Sequence, residues 1–177
     1  MQEMNGNNNQ VVAESLLDWM KSETFSYDFS STNTYEGETY TATGSMAMQG
    51  DNYAIASKTS EGESRIIYKD GITYVIEETS KIIMTMPSGQ ETGMGIPTDY
   101  GEMTKLSNGT GIINGKTLQY EEYQEGEYKM KIYMENGNVY GIESEGEGAK
   151  AVMIITNAKK TVPVGTFDIP TSGYTKY

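Results

Sequence analysis

The chain has 177 residues, the length of one domain with a sizeable core, and carries 25 acidic against 13 basic residues, for a formal net charge of −12. This charge repels nucleic acids and anionic lipid headgroups and supports solubility. The absence of Cys and His excludes disulfides, thiol nucleophiles, histidine-based triads and most zinc sites. No run approaches the about 18 apolar residues of a membrane-spanning helix, and no signal peptide is recognisable.

One amphipathic helix is predicted near the start of the chain, after residues 1–9, whose polar, Asn-rich sequence indicates a disordered leader or tether. Within NNNQVVAESLLDWMKSE, apolar residues recur at i, i+4, i+7 and i+8, which is one face of a helix. The residues on this face are Val12, Leu16, Trp19 and Met20. Because the only Trp of the chain lies among them, we expect the helix to dock on another element.

From Thr24 the apolar period is two, which is typical of strands with one buried face. Asp70-Gly71 supplies the positive-φ pair of a tight hairpin turn, and Pro87 ends a strand that begins after a turn near Ser80. The apolar positions of the first three predicted strands are Phe25, Tyr27, Phe29, Tyr40, Ala42, Gly44, Met46, Met48, Tyr53 and Ile55.

A Gly-rich segment without strand period follows over residues 88–111, and it is long for an ordinary connection. We predict an irregular, lid-like loop there, with room for a short helix around Asp99 to Lys105. Strands then resume in GKTLQYEEYQEG and EYKMKIYMENG, followed by a turn at Asn136-Gly137 and a last long strand in KAVMIITNAKK. The apolar side of the second of these strands carries Tyr128, Met130, Ile132 and Met134.

The chain ends in VPVGTFDIPTSGYTKY, which is unusually apolar for a terminus. Pro163 and Pro170 limit strand pairing, whereas Phe167 and Ile169, two residues apart, turn towards the same side. We therefore predict an edge element whose apolar side chains pack into the core.

These elements predict a mainly β (α+β) fold. It consists of one large curved antiparallel sheet, an incomplete barrel, with the N-terminal helix packed in its concave face. A closed barrel is the alternative, and it would not need the helix inside. No helices interrupt the strands regularly, so a parallel sheet is not expected.

The order of elements resembles the LolA-like superfamily of lipoprotein carriers and related exported bacterial lipoproteins. Three stretches carry the resemblance: YKDGITYVIEETSKIIMTM, YEEYQEGEYKMKIYMENGNVYGIES and AVMIITNAKKTVPVGTFDIPTSGYTKY. In the last of them Phe167, Ile169, Pro170, Gly173 and Tyr174 match the ending of the family. With the helix, the resemblance covers residues 10–177 as one domain.

The resemblance implies an incomplete β-barrel of about eleven strands that binds acyl chains on its open side. It also implies a protein outside the cytoplasm, anchored through a lipid on a Cys that follows an export signal, neither of which is in this sequence. The chain departs from the family in having a single Arg, Arg65, which leaves any feature built on several arginines in doubt.

A methionine-rich surface is the candidate binding site, because flexible Met side chains suit adaptable apolar surfaces. Ordinary core packing gives the same pattern, and copper binding by thioethers would require tighter Met clusters. The candidate ligand-binding residues are Leu16, Trp19, Met20, Met46, Met48, Met84, Met86, Tyr128, Met130, Ile132 and Met134.

Carboxylates at period two, Glu143, Glu145 and Glu147, indicate a solvated strand face rather than a calcium loop or a glycosidase pair. We predict no catalytic residue, no metal site and no cofactor. The expected function is non-enzymatic binding of an apolar ligand, such as a lipid or lipoprotein acyl chain, in the cavity between sheet and helix. The protein is expected to be exported and lipid-anchored, at the cell surface or in the periplasm. The alternative is a cell-surface lipoprotein that contacts a protein or glycan and has no lipid cavity.

Replacing Trp19 by Ala tests the docking of the predicted helix. If the indole fills the core, the free energy of unfolding should fall by about 3–5 kcal/mol. Denaturant titration or thermal melting measures this change. A variant that melts like the unmodified chain contradicts the docking.

Overall fold

The computed structural model describes residues 23–87 and 104–177. The predicted helix, with Leu16, Trp19 and Met20, lies outside the described residues, as does segment 88–103. Within the described residues no helix is present, so the fold there is all-β rather than α+β.

Twelve strands form one sheet in the order β12-β6-β5-β4-β3-β2-β1-β11-β10-β9-β8-β7. Every pairing is antiparallel except that of β12 with β6. The sheet is open, with β7 and β12 at its two ends, so the closed-barrel alternative is wrong. The strands are β1 (Thr24–Tyr35), β2 (Glu38–Gln49), β3 (Asn52–Lys58), β4 (Glu63–Lys69), β5 (Ile72–Glu77), β6 (Ile82–Pro87), β7 (Thr104–Ile113), β8 (Lys116–Glu125), β9 (Tyr128–Glu135), β10 (Asn138–Gly146), β11 (Ala149–Lys159) and β12 (Thr175–Lys176).

Two-residue turns join several of the strands. Asp70 has φ 54° and Gly71 has φ 79°, which is the backbone that twisted antiparallel strands require of their connection. Asn136 and Gly137 repeat it, with φ 51° and 81°. Both predicted turns are therefore confirmed.

The predicted irregular segment 88–111 is wrong over residues 104–111, which belong to β7. The helix predicted around Asp99 to Lys105 lies outside the described residues except at its end, where Lys105 is in a strand. Local Gly content favoured a loop, but pairing with β8 overrides it. The rings of Tyr120 and Tyr133 cover the two glycines of β7 and fill the space that their missing side chains leave. These glycines are Gly109 and Gly111.

The register of the pairings assigns each side chain to one of two faces, because directly paired residues point to the same side. Met46 pairs with Ile55, Ile55 with Ile66, Ile66 with Val75 and Val75 with Met84. We call this side the methionine face. The opposite side, which bears Ala54, Ile67, Ile76 and Ile83, is the tail face, since the tail (residues 160–177) crosses it.

The tail packs on the tail face, as the sequence predicted. Phe167, Ile169 and Tyr174 contact the buried cluster of Ala54, Ile67, Ile76 and Ile83. The tail then adds β12 to the edge strand β6, where the Tyr177 N–H donates to the carbonyl oxygen of Ile83 at 2.9 Å. One edge of the sheet is thereby covered by the chain itself.

A polar cluster around Glu78 anchors the tail. Glu78 accepts hydrogen bonds from the Arg65 guanidinium, at 2.7 Å, and from the Tyr174 hydroxyl. Lys81 lies 3.5 Å from the same carboxylate and donates to the Tyr174 hydroxyl at 3.2 Å. The hydrogen bond from Tyr174, joined by those from Arg65 and Lys81, lowers the pKa of Glu78 against the opposing effect of burial. Arg65 also reaches the Asp168 carbonyl, at 3.4 Å.

Phe167→Ala tests whether the tail belongs to the core. Because Phe167 is half-buried, its truncation should lower the free energy of unfolding by about 1–3 kcal/mol, less than for a fully buried Phe. Val164→Ala is the matched control, since Val164 is fully exposed in the same tail and should change stability by less than about 0.5 kcal/mol. Equal melting of the two variants contradicts the packing.

Glu78→Gln tests the anchor through its pH dependence. Because the folded-state pKa of Glu78 is depressed, its carboxylate stabilises the fold above the unfolded pKa, and this stabilisation is lost as the pH falls through the folded pKa. At neutral pH the variant should lose about 1–3 kcal/mol of unfolding free energy. The deficit should shrink on acidification.

Glu77→Gln is the control for this experiment, since the neighbouring Glu77 is registered on the methionine face, away from the tail. It should leave stability within about 0.5 kcal/mol of the unmodified chain. A Glu78→Gln deficit that is the same at neutral and acid pH rules out the carboxylate as the anchor.

Candidate functional site

All candidate binding residues within the described part of the chain lie on the methionine face. Their burial differs widely. Ile132 is 1% exposed, Met46 8% and Met130 9%, whereas Met84 is 40% and Tyr128 52% exposed. Met48, Met86 and Met134 are half-buried. The face therefore combines dry regions, in which the side chains are buried, with accessible apolar side chains such as Met84.

The first dry region lies on β1, β2 and β3, where Phe25, Met46 and Ile55 are buried together. The rings of Phe25 and Tyr27 are parallel, with centroids 6.2 Å apart. The Tyr27 hydroxyl donates to the Met46 sulfur at 3.0 Å, so it has a polar partner within an apolar cluster. Half-buried side chains complete the cluster: Tyr27, Phe29, Met48 and Tyr53.

The second dry region lies on β8, β9 and β10 and contains Tyr123, Met130 and Ile132. Met134, Val139 and Ile142 pack against it. The alternation of β9 predicted Met130, Ile132 and Met134 in the sequence. The pattern of β8 and β10 is weaker there, because their apolar residues are separated by Glu and Gly, and so their contribution was missed.

The middle strands β1 and β11 join the two regions. Phe29 pairs with Ile155 and Ser31 with Met153, and Met153 in turn pairs with Ile142 of β10. Ile155 is buried and Met153 half-buried on the same face. The sheet thus presents one apolar strip that runs across its strands from β6 to β9.

Gly44 makes room for this strip at β2. A Cβ at position 44 would collide with the backbone of Ala56 and approach the Phe29 ring to 2.8 Å. The absence of a side chain therefore lets the Phe29 ring lie on the sheet between the two dry regions.

An ion pair interrupts the apolar face on β7 and β8. The Lys105 ammonium contacts the Glu121 carboxylate, which is 4% exposed as a side chain, and Glu121 also accepts a hydrogen bond from the Tyr123 hydroxyl at 2.6 Å. Burial, together with the bond to Glu121, raises the pKa of Tyr123. The sequence analysis predicted Lys105 within the irregular segment 88–111, so its contact with Glu121 was not predicted.

The candidate carboxylates Glu143 and Glu145 lie on the opposite face, while Glu147 lies in the turn after β10. Glu143 accepts a hydrogen bond from Tyr133 at 2.9 Å. In residues 23–87 and 104–177, no three carboxylates come close enough to hold a metal ion. The same ranges contain no helix that could span a membrane.

This geometry favours the binding of apolar groups. The methionine face offers flexible thioethers and aromatic rings over many strands, and in the described part of the chain it carries one ion pair, between Lys105 and Glu121. Residues that sequence reasoning missed on this face include Ile66, Val75, Ile142, Met153 and Ile155.

No family model and no curated protein matches the chain. Several solved structures match the chain. An uncharacterized conserved protein from Thermus thermophilus matches with a TM-score of 0.58 and 9% identity, over 93% of this chain and 99% of the other. At this identity the match shows a shared fold.

Two further matches have lower TM-scores. LprF from Mycobacterium bovis matches at 0.48, with 9% identity over 89% of this chain and 95% of that protein. The Pseudomonas aeruginosa MucA/MucB complex matches at 0.47, with 10% identity over 90% of this chain and 61% of the matched chain. At these identities the likeness concerns the fold alone.

Proposed function

We propose that the protein is a non-enzymatic, exported binding protein that holds an apolar ligand, a lipid or a lipoprotein acyl chain, against the methionine face. One observation carries the proposal: a single register places every described Met candidate on the same side of the sheet. A core packed against the rest of the chain would need the same apolarity. It would not need accessible side chains such as Met84 at the margin.

The tail supports this assignment of faces. It occupies the tail face of β4, β5 and β6 and pairs with the edge of β6, so that side of the sheet already has its cover within the chain. The methionine face of the same strands bears Met84 and Met86, of which Met84 is exposed. A ligand is therefore expected at the accessible part of this face, around Met84.

We place the protein outside the cytoplasm as a lipid-anchored lipoprotein, following the LolA-like resemblance. The alternative role, contact with a protein or a glycan, has one observation in its favour. Tyr35, Tyr40 and Tyr128 are each more than half exposed at the same end of the methionine face, and exposed tyrosines suit such contacts.

Met84→Glu tests the apolar site by titration with a fluorescent fatty-acid analogue. A carboxylate on the binding face must lose hydration when the ligand covers it, so affinity should fall about tenfold or more. Thr85→Glu is the matched control, since Thr85 is exposed on the tail face of the same strand. It should bind like the unmodified chain.

Native mass spectrometry after gentle purification gives an independent measurement. Co-purified lipid supports the proposal. If the dye does not bind and no lipid is retained, the acyl-binding role is wrong, and binding to immobilised glycans or surface proteins tests the alternative. If Met84→Glu and Thr85→Glu weaken the dye equally, the ligand does not lie on the methionine face.

A further inference from the structure

Positively charged side chains are distributed very unevenly between the two faces of the sheet. Among the described strands β1 to β11, Lys105 is the only Lys or Arg whose side chain the register places on the methionine face. The others point to the tail face, for example Lys58, Lys129 and Lys131. The presence of one cation on this face is therefore the feature to be explained.

The side chain of Lys105 is oriented by residues of the neighbouring strand β8. Its register partner is Tyr123, and its ammonium contacts the buried Glu121, whose second oxygen accepts the Tyr123 hydroxyl. A buried carboxylate without such partners would be costly, so these contacts offset the desolvation of Glu121 and orient the Lys105 side chain.

The ammonium still has capacity for a ligand. The side chain of Lys105 is 35% exposed, against 4% for Glu121. An ammonium has three N–H donors, and Glu121 is the one hydrogen-bond acceptor that Lys105 reaches among the described residues. Because one acceptor uses one of three donors and the side chain is partly exposed, the remaining donors are expected to reach an acceptor that arrives from solvent.

Apolar surface begins directly beside this cation. Tyr123 pairs with Met130, and Glu121 with Ile132, so the second dry region starts one to two strands away from Lys105. With about 4.8 Å between neighbouring strands, the backbone of Lys105 lies about 10 Å from that of Met130, two strands away. A molecule with a polar end at Lys105 would place its apolar part on Met130, Ile132 and Ile142.

We propose that the ligand of the methionine face is an anionic amphiphile, whose carboxylate or phosphate binds Lys105 while its acyl chain lies on the second dry region. This inference rests on the proposed function and specifies the headgroup class of that same site. The net charge of −12 opposes anionic membrane surfaces, but its long-range effect on one ligand is screened beyond about 8 Å at physiological salt. The nearby positive charge of Lys105 therefore determines whether the site prefers an anionic headgroup.

Headgroup selectivity of the unmodified chain is the primary test. Dodecanoate, dodecyl phosphate and neutral dodecanol, which share one chain length, compete with a fluorescent fatty-acid analogue at physiological salt. A charge-assisted hydrogen bond in a partly dry site should make at least one anion bind about tenfold more tightly than the alcohol. The better of the two anions distinguishes a fatty-acid from a phospholipid source.

The double variant Lys105→Met, Glu121→Gln tests the residue itself. It removes both charges, so no buried carboxylate is left without a partner, and Gln can still accept from Tyr123. The selectivity for anions should disappear, with dodecanol unaffected. Lys105→Arg should retain it.

The matched control is Lys131→Met, Glu122→Gln, which removes a register-paired Lys and Glu from the tail face. This control should keep the full selectivity. Thermal melting of both double variants shows whether each is folded, and the headgroup comparison on the unmodified chain stands even if one is not.

The outcomes separate the two proposals. Equal binding of the three competitors overturns the role of Lys105 and leaves the acyl site intact. Anion selectivity that survives in the Lys105 double variant also overturns it. Failure of the dye and all competitors to bind overturns the acyl site, and the headgroup assignment with it.

Discussion

Side chains alternate across one antiparallel register, and the rest of the structure depends on this constraint. Because the period is two, a residue's position in its strand decides which of two surfaces it joins. The pairing continues from β6 through β1 to β7, with shifts between Ser26 and Asp28, between Val139 and Gly141, and between Lys105 and Ser107. Residues far apart in sequence therefore share a face, as Met84 and Met130 do.

The apolar side chains of the two faces differ in how they are shielded from water. On the tail face, the tail itself covers the apolar side chains. A polar cluster anchors the tail there, and it consists of Arg65, Glu78, Lys81 and Tyr174. This use of Arg65 accounts for the single guanidinium of the sequence, whose planar fork suits both a carboxylate and a carbonyl. The methionine face of the same strands keeps an exposed thioether at Met84.

The ion pair of Lys105 and Glu121 stands out against this background because an apolar pair would cost less to bury. The Glu121 carboxylate is almost fully buried and doubly hydrogen-bonded, whereas the Lys105 side chain is about one third exposed. Such asymmetry suits a headgroup site, because the buried Glu121 carboxylate orients a Lys105 side chain that a ligand can still reach. The flanking Met and Ile side chains provide the apolar surface that an acyl chain requires.

Local periodicity and turn chemistry determined much of this protein from the sequence by itself. They predicted the antiparallel strands, the turns at Asp70-Gly71 and Asn136-Gly137, the shared side of the Met residues within each strand, and the packing of Phe167 and Ile169. These features depend on neighbours a few residues apart, so a short window contains their cause.

Only the tertiary structure decided what depends on pairing between distant strands. The strand β7 forms where Gly109 and Gly111 indicated a loop, because β8 pairs with it and Tyr120 covers its glycines. The meeting of Lys105 with Glu121, the junction of the Met clusters through β1 and β11, and the anchoring of Tyr174 by Glu78 follow from register. Register is a relation between strands, and no local pattern encodes which strand becomes the neighbour of another.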